Sequence, residues 1–263
     1  MKILIIGGGN MGLTFARSFL RSRYDVRVLE KQAARVEFLR EELATPIFDT
    51  PESCVPEADI IVLAVKPQSA QALFDEIRAY VAADQLILTI MAGVSIETIR
   101  RALNTPKIIR AMPNLPAQIG EGMSVYTSTD EVTRIELVMV QNLLNTTGKA
   151  LFVNQERFID AGTAISGSGP AYVFFFMQAL QQAAIDMGFT ATQAQLLVGQ
   201  TFRGAIHLFE QSDADCRTWI AKVASKGGTT ERALQSFEAH RLAEAIKAGA
   251  QAALARAIEL SRM

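Results

Sequence analysis

Two glycine-containing segments, one near each end of the chain, have residue types and spacings that suit the binding of anionic groups. The C-terminal segment starts at Ala224 and runs to Leu234, with a core of Ser225, Lys226, Gly227, Gly228, Thr229 and Thr230. The two glycines let the backbone present successive N–H groups, and the two threonines can cap a helix. The segment therefore predicts an anion-binding helix N-terminus that suits a small carboxylate, and a capped helix without a ligand is the alternative.

The N-terminal segment is an apolar strand over residues 2–6 that leads into the spacing Gly7-x-Gly9-x-x-Gly12. In dinucleotide-binding folds the first glycine permits a tight turn, the second lets a pyrophosphate approach the backbone, and the third allows close helix packing. Asn10 and Met11 then lie at the helix N-terminus and face the phosphates. A glycine turn without a ligand is the alternative, but the strand before it and the helix after it favour a dinucleotide.

Glu30 is predicted at the end of the second strand, where a carboxylate can accept the ribose hydroxyls of NADH and repel the 2′-phosphate of NADPH. Lys31 follows directly and Arg35 lies one helical turn on, so a phosphate can be accommodated if the acid swings away. Both NADH and NADPH therefore stay open as cofactors, and a solvated carboxylate is the alternative reading of Glu30.

Three further turns follow predicted strands, and in open α/β sheets the carboxyl ends of strands meet the ligand. We therefore expect these turns to line the cofactor crevice, although turns in general are rich in glycine and proline. Their candidate cofactor-binding residues are Val65, Lys66 and Pro67 in the first turn, Ala92 and Gly93 in the second, and Pro113 and Asn114 in the third.

Strand and helix patterns alternate in the first half of the chain, as a doubly wound parallel sheet requires. Strands are predicted at residues 2–6, 25–29, 59–65, 85–90, 107–111 and 122–127, and helices at residues 11–21 and 32–42. The second half reads as all-helical, with helices at residues 160–165, 170–187, 191–209, 216–223, 230–236 and 241–261. The predicted fold is thus α/β, with an N-terminal Rossmann-like dinucleotide-binding domain (residues 1–153) and a C-terminal α-helical substrate-binding and dimerisation domain (residues 154–263).

Residues 174–177, Phe-Phe-Phe-Met, are apolar around nearly the whole circumference of their predicted helix. Such a helix must be buried on all sides, and in a domain of this size that favours an interface between subunits. An ordinary core helix within the domain is the alternative.

The composition excludes several classes of protein. With 263 residues, 49% of them hydrophobic, and a net charge of -1, the chain can bury a sizeable core and lacks the basic stripe of a nucleic-acid-binding surface. Its longest apolar runs are too short to cross a membrane. Cys54 and Cys216 form no CxxC pair, so free thiols in the cytoplasm are expected. His207 and His240 lie in helical segments without metal-ligand spacing, and we expect no metal site.

Five motifs extend over essentially the whole chain. They are Gly7 to Gly12, Ala64 to Gln68, Ala111 to Asn114, Ser166 to Tyr172, and Ser225 to Thr230. The serine-glycine and glycine-threonine motifs are far more distinctive than a dinucleotide fingerprint. Together the five motifs resemble those of Δ1-pyrroline-5-carboxylate reductases, in the same order.

This resemblance implies the last step of proline biosynthesis, in which NADPH or NADH reduces a cyclic imine to L-proline. It implies that the Thr230 hydroxyl bonds the ring nitrogen, that the substrate carboxylate lies on the N–H groups of Ser225 to Thr229, and that residues 168–170 pack near the ring. It also implies a homodimer with interleaved helical domains, with which a decamer, a ring of dimers, is compatible. Lys226 departs from the family, which commonly has proline there. Lysine lacks the fixed φ of proline and has a cation that can lie beside the carboxylate if the side chain points inward, and both orientations stay open.

Two other functions compete with this interpretation. β-Hydroxyacid and 6-phosphogluconate-type dehydrogenases also begin with a glycine fingerprint and end in helices, but they need a general acid/base lysine in a long helix, and residues 174–182 contain none. A non-catalytic, nucleotide-binding redox sensor would keep the first twelve residues, but it would have no reason to keep Ser225 to Thr230.

Overall fold

The computed structural model describes residues 1–261, in which the chain divides into two compact units. The first unit contains Met1–Pro170 and the stretch from Ala252 onward, and the second contains Ala171–Gln251. Residues 154–170 thus pack with the sheet, although the sequence assigned them to the helical domain. The functional boundary at residue 153, between a cofactor-binding and a dimerisation domain, stays a prediction.

The first unit is built on one eight-stranded sheet with the strand order β3-β2-β1-β4-β5-β6-β7-β8. The first six strands in this order are parallel, β7 is antiparallel to β6, and β8 is parallel to β7. The strands are β1 (Lys2–Ile6), β2 (Asp25–Leu29), β3 (Ile47–Phe48), β4 (Ile60–Leu63), β5 (Leu86–Thr89), β6 (Ile108–Met112), β7 (Gly122–Ser128) and β8 (Gly148–Phe152).

Helices cover both faces of this sheet. Their bounds are α1 (Asn10–Arg21), α2 (Ala33–Glu42), α3 (Ala70–Ile77), α4 (Ile96–Leu103), α5 (Arg134–Asn145) and α6 (Arg157–Gly162). Alternate residues of β1 point to opposite faces: Ile3 and Ile5 pack with Phe15 in one core layer, and Leu4 packs with Phe74 in the other. The Rossmann-like half predicted from the alternating pattern is confirmed.

All six predicted strands are present, but the sheet has two more. β3 consists of only two residues, and β8 is an edge strand in which Leu151 and Phe152 remain exposed. Neither has the uninterrupted apolar run that identifies a central strand. The strand predicted at residues 59–65 is shorter in the structure, because the chain leaves the sheet after Leu63 and enters a 3₁₀ turn at Pro67–Ser69.

The remaining helices are α7 (Gly169–Asp186), α8 (Ala191–Glu210), α9 (Cys216–Val223), α10 (Thr229–Ala239) and α11 (Leu242–Leu260). The all-helical second half is thus confirmed for the described residues, and the bounds of α9 are those predicted. The helix predicted at residues 160–165 differs: α6 ends at Gly162 and continues as a π-helix over Thr163–Gly167. In α7, Phe174 is 60% and Phe175 69% exposed within the chain, so the intradomain core helix is wrong for these side chains.

A buried ion cluster ties distant parts of the first unit together. Arg110, in the middle of β6, is 3% exposed and donates hydrogen bonds to Glu156 (2.7 Å) and Asp160 (3.1 Å). The Ser261 hydroxyl donates to the same Asp160 oxygen over 2.9 Å. Because a buried charge needs partners, the cluster fixes α6 and the end of the α11 segment against β6. No helix in the described chain is long and apolar enough to span a membrane.

Candidate cofactor and substrate sites

The strand order places the predicted cofactor-binding turns side by side. β1, β4, β5 and β6 are neighbours and parallel, so the segments that follow them leave the same edge of the sheet. The chain connects β1 to β2 on one side and continues through β4 on the other, which makes the β1–β4 boundary a topological switch point. In open α/β sheets a crevice for ligands forms at this point.

The glycine loop after β1 has the backbone shape that a pyrophosphate needs. Gly7 has a φ of 102°, and a Cβ there would lie 2.9 Å from Ala64 and Val65. A Cβ at Gly12 would lie 1.9 Å from the Gly7 carbonyl oxygen, so the start of α1 approaches the loop closely. At Gly9 a Cβ would meet nothing within 4 Å, which leaves open space at the position where a pyrophosphate approaches the backbone.

The first turn of α1 has N–H groups that are free to bind phosphate. Gly9 is the N-cap of α1, and no side chain of the described chain caps this helix. Asn10 is exposed and Met11 half-buried at its first turn. Uncapped N–H groups and the helix dipole together attract an anion, so these residues are suited to the pyrophosphate of NAD(P)H.

The Glu30 carboxylate, which is predicted to bind the ribose, also shapes the glycine loop. Its Oε2 accepts a hydrogen bond from the Gly8 N–H (2.9 Å), and its Oε1 accepts from the N–H groups of Lys31 (2.8 Å) and Gln32 (2.9 Å). A carboxylate oxygen can accept two hydrogen bonds, so Oε2 retains capacity for a ribose hydroxyl. The ribose contact of Glu30 stays a prediction, whereas its hydrogen bonds, which hold the loops after β1 and β2 together, were not predicted from the sequence.

Both cations near Glu30 have partners in the structure. Lys31 forms an ion pair with Glu76 of α3, a residue that the sequence analysis did not single out. Arg35 donates from Nε to the Gly8 carbonyl oxygen over 2.5 Å, and its guanidinium carbon lies 4.5 Å from the centre of the Phe38 ring. No local sequence signal connects Lys31 with Glu76, because the two residues lie on different elements.

The turn after β4 is more exposed to solvent than the turn after β5. Lys66 and Pro67 are exposed, and Val65 packs over Gly7. Ala92 is half-buried, and the neighbouring Gly93 has a φ of 72°. A Cβ at Gly93 would lie 3.0 Å from the Leu260 carbonyl oxygen, so this glycine is needed where the loop meets the end of α11.

Pro113 and Asn114, after β6, are both buried. The Asn114 amide nitrogen donates to the Ser166 carbonyl oxygen over 2.9 Å, and its side-chain oxygen accepts from the Met123 N–H over 2.8 Å. Asn114 thereby links the turn to β7 and to the π-helix, a feature often found at functional sites. With its amide engaged in this way, Asn114 shapes the turn, and its predicted contact with the cofactor stays a prediction.

The predicted carboxylate-binding segment connects α9 to α10 in the second unit. Gly227 has a φ of 76°, and Gly228 is the N-cap of α10, which no side chain of the described chain caps. A Cβ at Gly228 would lie 2.6 Å from the Ser225 hydroxyl oxygen, so the loop is tightly folded on itself. The expectation that the threonines cap the helix is wrong, because Thr229 and Thr230 already belong to the first turn.

Three N–H groups of this segment already have acceptors in the chain. The Ser225 N–H donates to the Val223 carbonyl (3.2 Å), the Gly228 N–H donates to the Ser225 carbonyl (3.0 Å), and the Gly227 N–H donates to the Glu231 carboxylate (2.7 Å). The donors left for a ligand carboxylate are therefore the Lys226 N–H and those at the start of α10. Lys226 is exposed and Thr230 half-buried, and no hydrogen bond in the described chain uses the Thr230 hydroxyl.

The two histidines and the two cysteines lie outside the segments predicted to bind cofactor and substrate. His207 is exposed, and the His240 ring nitrogen lies 2.8 Å from the Ser236 carbonyl oxygen within α10. The described residues contain no group of three or more histidine, cysteine or acidic side chains that could hold a metal ion. Cys54 and Cys216 are both free thiols.

Family models match both parts of the chain. The model for pyrroline-5-carboxylate reductase dimerisation matches residues 156–260, and the model for NADP oxidoreductase, coenzyme F420-dependent, matches residues 2–93. The chain is 35% identical to the pyrroline-5-carboxylate reductase of Pasteurella multocida, over 100% of this chain and 98% of the relative. It is 33% identical to that of Vibrio alginolyticus, with the same coverage of both chains.

Solved structures of pyrroline-5-carboxylate reductases are also similar to this chain. A pyrroline-5-carboxylate reductase from Coxiella burnetii superposes with a TM-score of 0.93 at 30% identity, over 99% of this chain and 98% of the other. Pyrroline carboxylate reductase from Plasmodium falciparum, determined with NADP bound, superposes with a TM-score of 0.88 at 26% identity, with the same coverage.

Proposed function

The chain belongs to the pyrroline-5-carboxylate reductase family, and from this and the site geometry we propose that it reduces 1-pyrroline-5-carboxylate to L-proline with NAD(P)H. The observation that carries the proposal is that two helices, α1 and α10, begin at a glycine N-cap with no capping side chain. One helix N-terminus is suited to the pyrophosphate of a dinucleotide and the other to a small carboxylate. The chain is thus an oxidoreductase of the proline biosynthetic step.

The glycine loop supports binding of NADPH or NADH at the carboxyl edge of the sheet. Gly7, Gly9 and Gly12 shape the loop, Asn10 and Met11 present the first turn of α1, and Glu30 faces the ribose. The turns at Val65 to Pro67, at Ala92 and Gly93, and at Pro113 and Asn114 follow the neighbouring strands and complete the proposed crevice. The cofactor, when bound, supplies the hydride.

The segment from Ser225 to Thr230 is the proposed substrate site. N–H groups at the start of α10 hold the carboxylate, and the exposed Lys226 adds a nearby cation. Thr230 places its hydroxyl at the ring nitrogen, either donating to the neutral imine or accepting from the iminium. The protein's main tasks in such a reaction are to orient the imine carbon toward the nicotinamide and to exclude water.

The exposed apolar surface of α7 supports a homodimer in which the helical half, from about residue 154, provides the contacts between subunits. Val173, Phe174 and Phe175 are each at least 46% exposed in the single chain, which is costly unless another chain covers them. A ring of such dimers, a decamer, is compatible with this surface. Two free thiols are typical of a reducing compartment, so we place the enzyme in the cytoplasm.

An assay of cofactor oxidation tests the function. Oxidation of NADH or NADPH is followed with 1-pyrroline-5-carboxylate, and reduction of NAD and NADP is followed with 3-hydroxyisobutyrate and 6-phosphogluconate. We expect activity with the imine and none with the hydroxyacids, because α7 contains no lysine to act as their acid/base group. Activity with a hydroxyacid alone would contradict the proposal, and binding without turnover of any substrate would favour a sensor.

A further inference from the structure

We propose that this enzyme favours NADH over NADPH, and that Glu76 determines this preference by engaging Lys31. The inference rests on the proposed function, in which a nicotinamide dinucleotide binds with its adenosine ribose near Glu30. The two cofactors differ only in a 2′-phosphate on that ribose, so selectivity depends on the charges that this phosphate meets. Four side chains determine the charge around this phosphate position: Glu30, Lys31, Arg35 and Glu76.

Lys31 directly follows Glu30, at the carboxyl end of β2, where a 2′-phosphate would need a cation. Its ammonium group forms an ion pair with Glu76, which lies on α3 and whose side chain is only 24% exposed. Lys31 also lies close enough to Glu52 that its charge helps to lower the pKa of that carboxyl, after larger contributions from the Glu52 N–H and Thr50. Lys31 is thus paired with an acid of the chain while its own side chain is 59% exposed, so a 2′-phosphate would have to compete with Glu76 for it.

Arg35, the second cation near the ribose, is also occupied. Its Nε donates to the Gly8 carbonyl oxygen, and its guanidinium stacks on the Phe38 ring. Its Nη2 is buried and has no acceptor among the described residues, so it is not exposed to a phosphate in this arrangement. Binding a phosphate through Nη2 would require the guanidinium to move.

Glu30 cannot swing away without a cost. Its carboxylate accepts three backbone hydrogen bonds, from Gly8, Lys31 and Gln32, and moving it would leave these donors unpaired. A 2′-phosphate would therefore meet the fixed negative charge of Glu30 and the acid beside Lys31. A 2′-hydroxyl can instead donate to the remaining acceptor site on Glu30, which favours NADH.

The test measures dissociation constants of NADH and NADPH by fluorescence titration of the full-length protein, without substrate. We expect the wild-type enzyme to bind NADH at least about fivefold more tightly than NADPH, because exposed ion pairs change affinity by about this much. In Glu76→Gln, Lys31 is released toward the phosphate. The Kd for NADPH should then fall about fivefold while the Kd for NADH changes less than about twofold.

Two further variants isolate the mechanism. Asp75→Asn removes the same charge from the preceding, exposed position of α3 and should leave the ratio of the two constants unchanged. Adding Lys31→Gln to Glu76→Gln should abolish the gain for NADPH. Equal affinity for both cofactors in the wild type, or an unchanged ratio in Glu76→Gln, would overturn the inference alone. Failure of both cofactors to bind would overturn the proposed function together with it.

Discussion

The carboxylate of Glu231 accepts a 2.7 Å hydrogen bond from the N–H of Gly227, so an acid of the chain occupies part of the segment proposed to hold the substrate carboxylate. The two residues are separated by one turn, since Gly227 precedes the N-cap of α10 and Glu231 lies in its first turn. Glu231 stabilises the left-handed conformation at Gly227. It also places a negative charge at the position proposed for the substrate carboxylate.

Glu231→Gln should therefore lower KM for 1-pyrroline-5-carboxylate by about threefold, because glutamine keeps the acceptor for the Gly227 N–H but removes the charge. Steady-state kinetics at saturating cofactor measures the effect, and kcat should change little. Glu238→Gln is the matched control, since it removes the same charge two turns farther along α10. An equal fall in KM in the control would assign the effect to the net charge of the protein rather than to the charge at position 231.

Thr230→Val should lower kcat/KM for 1-pyrroline-5-carboxylate by about tenfold. Valine keeps the shape but removes the hydroxyl, and the hydrogen bond proposed between this hydroxyl and the ring nitrogen would be worth about 1.4 kcal/mol. Thr229→Val serves as the control, because it retains the backbone N–H and is not expected to touch the ring. Cofactor affinity should be unaffected in both. If kcat/KM of a correctly folded Thr230→Val enzyme matches the wild type, the hydroxyl has no role in the reaction.

Phe175→Glu should disrupt the dimer and the activity together. Phe175 is 69% exposed in the single chain and lies on the apolar surface of α7, so a charge there would be buried by a partner subunit. Sedimentation velocity at micromolar concentration measures the assembly. Phe175→Leu keeps the surface apolar and should stay dimeric. A stable, active monomer of Phe175→Glu would refute the interface.

The two cysteines should react very differently with a thiol reagent. Burial raises the pKa of the Cys54 thiol to about 11, whereas Cys216 is exposed. Because only the thiolate reacts, about one Cys54 thiol in a thousand is reactive at pH 8. Titration of the native protein at pH 8 should modify Cys216 and leave Cys54 unmodified until denaturant is added. Rapid modification of a thiol in native Cys216→Ser would contradict this assignment.

Local patterns in the sequence were sufficient for most elements of the fold. The bounds predicted for α9 match because Asp215 caps the helix and accepts a hydrogen bond from the Thr218 N–H, a signal contained within four residues. The apolar run before Gly7 identified β1, the strand beside the switch point. β8 was missed because an exposed edge strand mixes polar and apolar residues and has no clear alternation.

The contacts that shape the sites were harder to predict, because most join residues far apart in sequence. Arg110 was predicted only as part of a strand, and its acidic partners follow 46 and 50 positions later. The same applies to Glu76, which lies on α3 while Lys31 follows β2. Glu231 is the exception, since an acid four residues after a glycine is a local signal that sequence reasoning overlooked. The change from α-helix to π-helix at Thr163 depends on hydrogen-bond register, which periodicity does not reveal.

The contacts of Leu260 with Gly93 and of Ser261 with Asp160 have a consequence for biosynthesis. All eight strands leave the ribosome well before these C-terminal residues, so the sheet can assemble while the second unit is still being translated. The loop after β5 and the cluster at Arg110 cannot be completed until Leu260 and Ser261 have emerged from the ribosome. Nascent chains arrested before this point should therefore contain a formed but incompletely packed sheet unit.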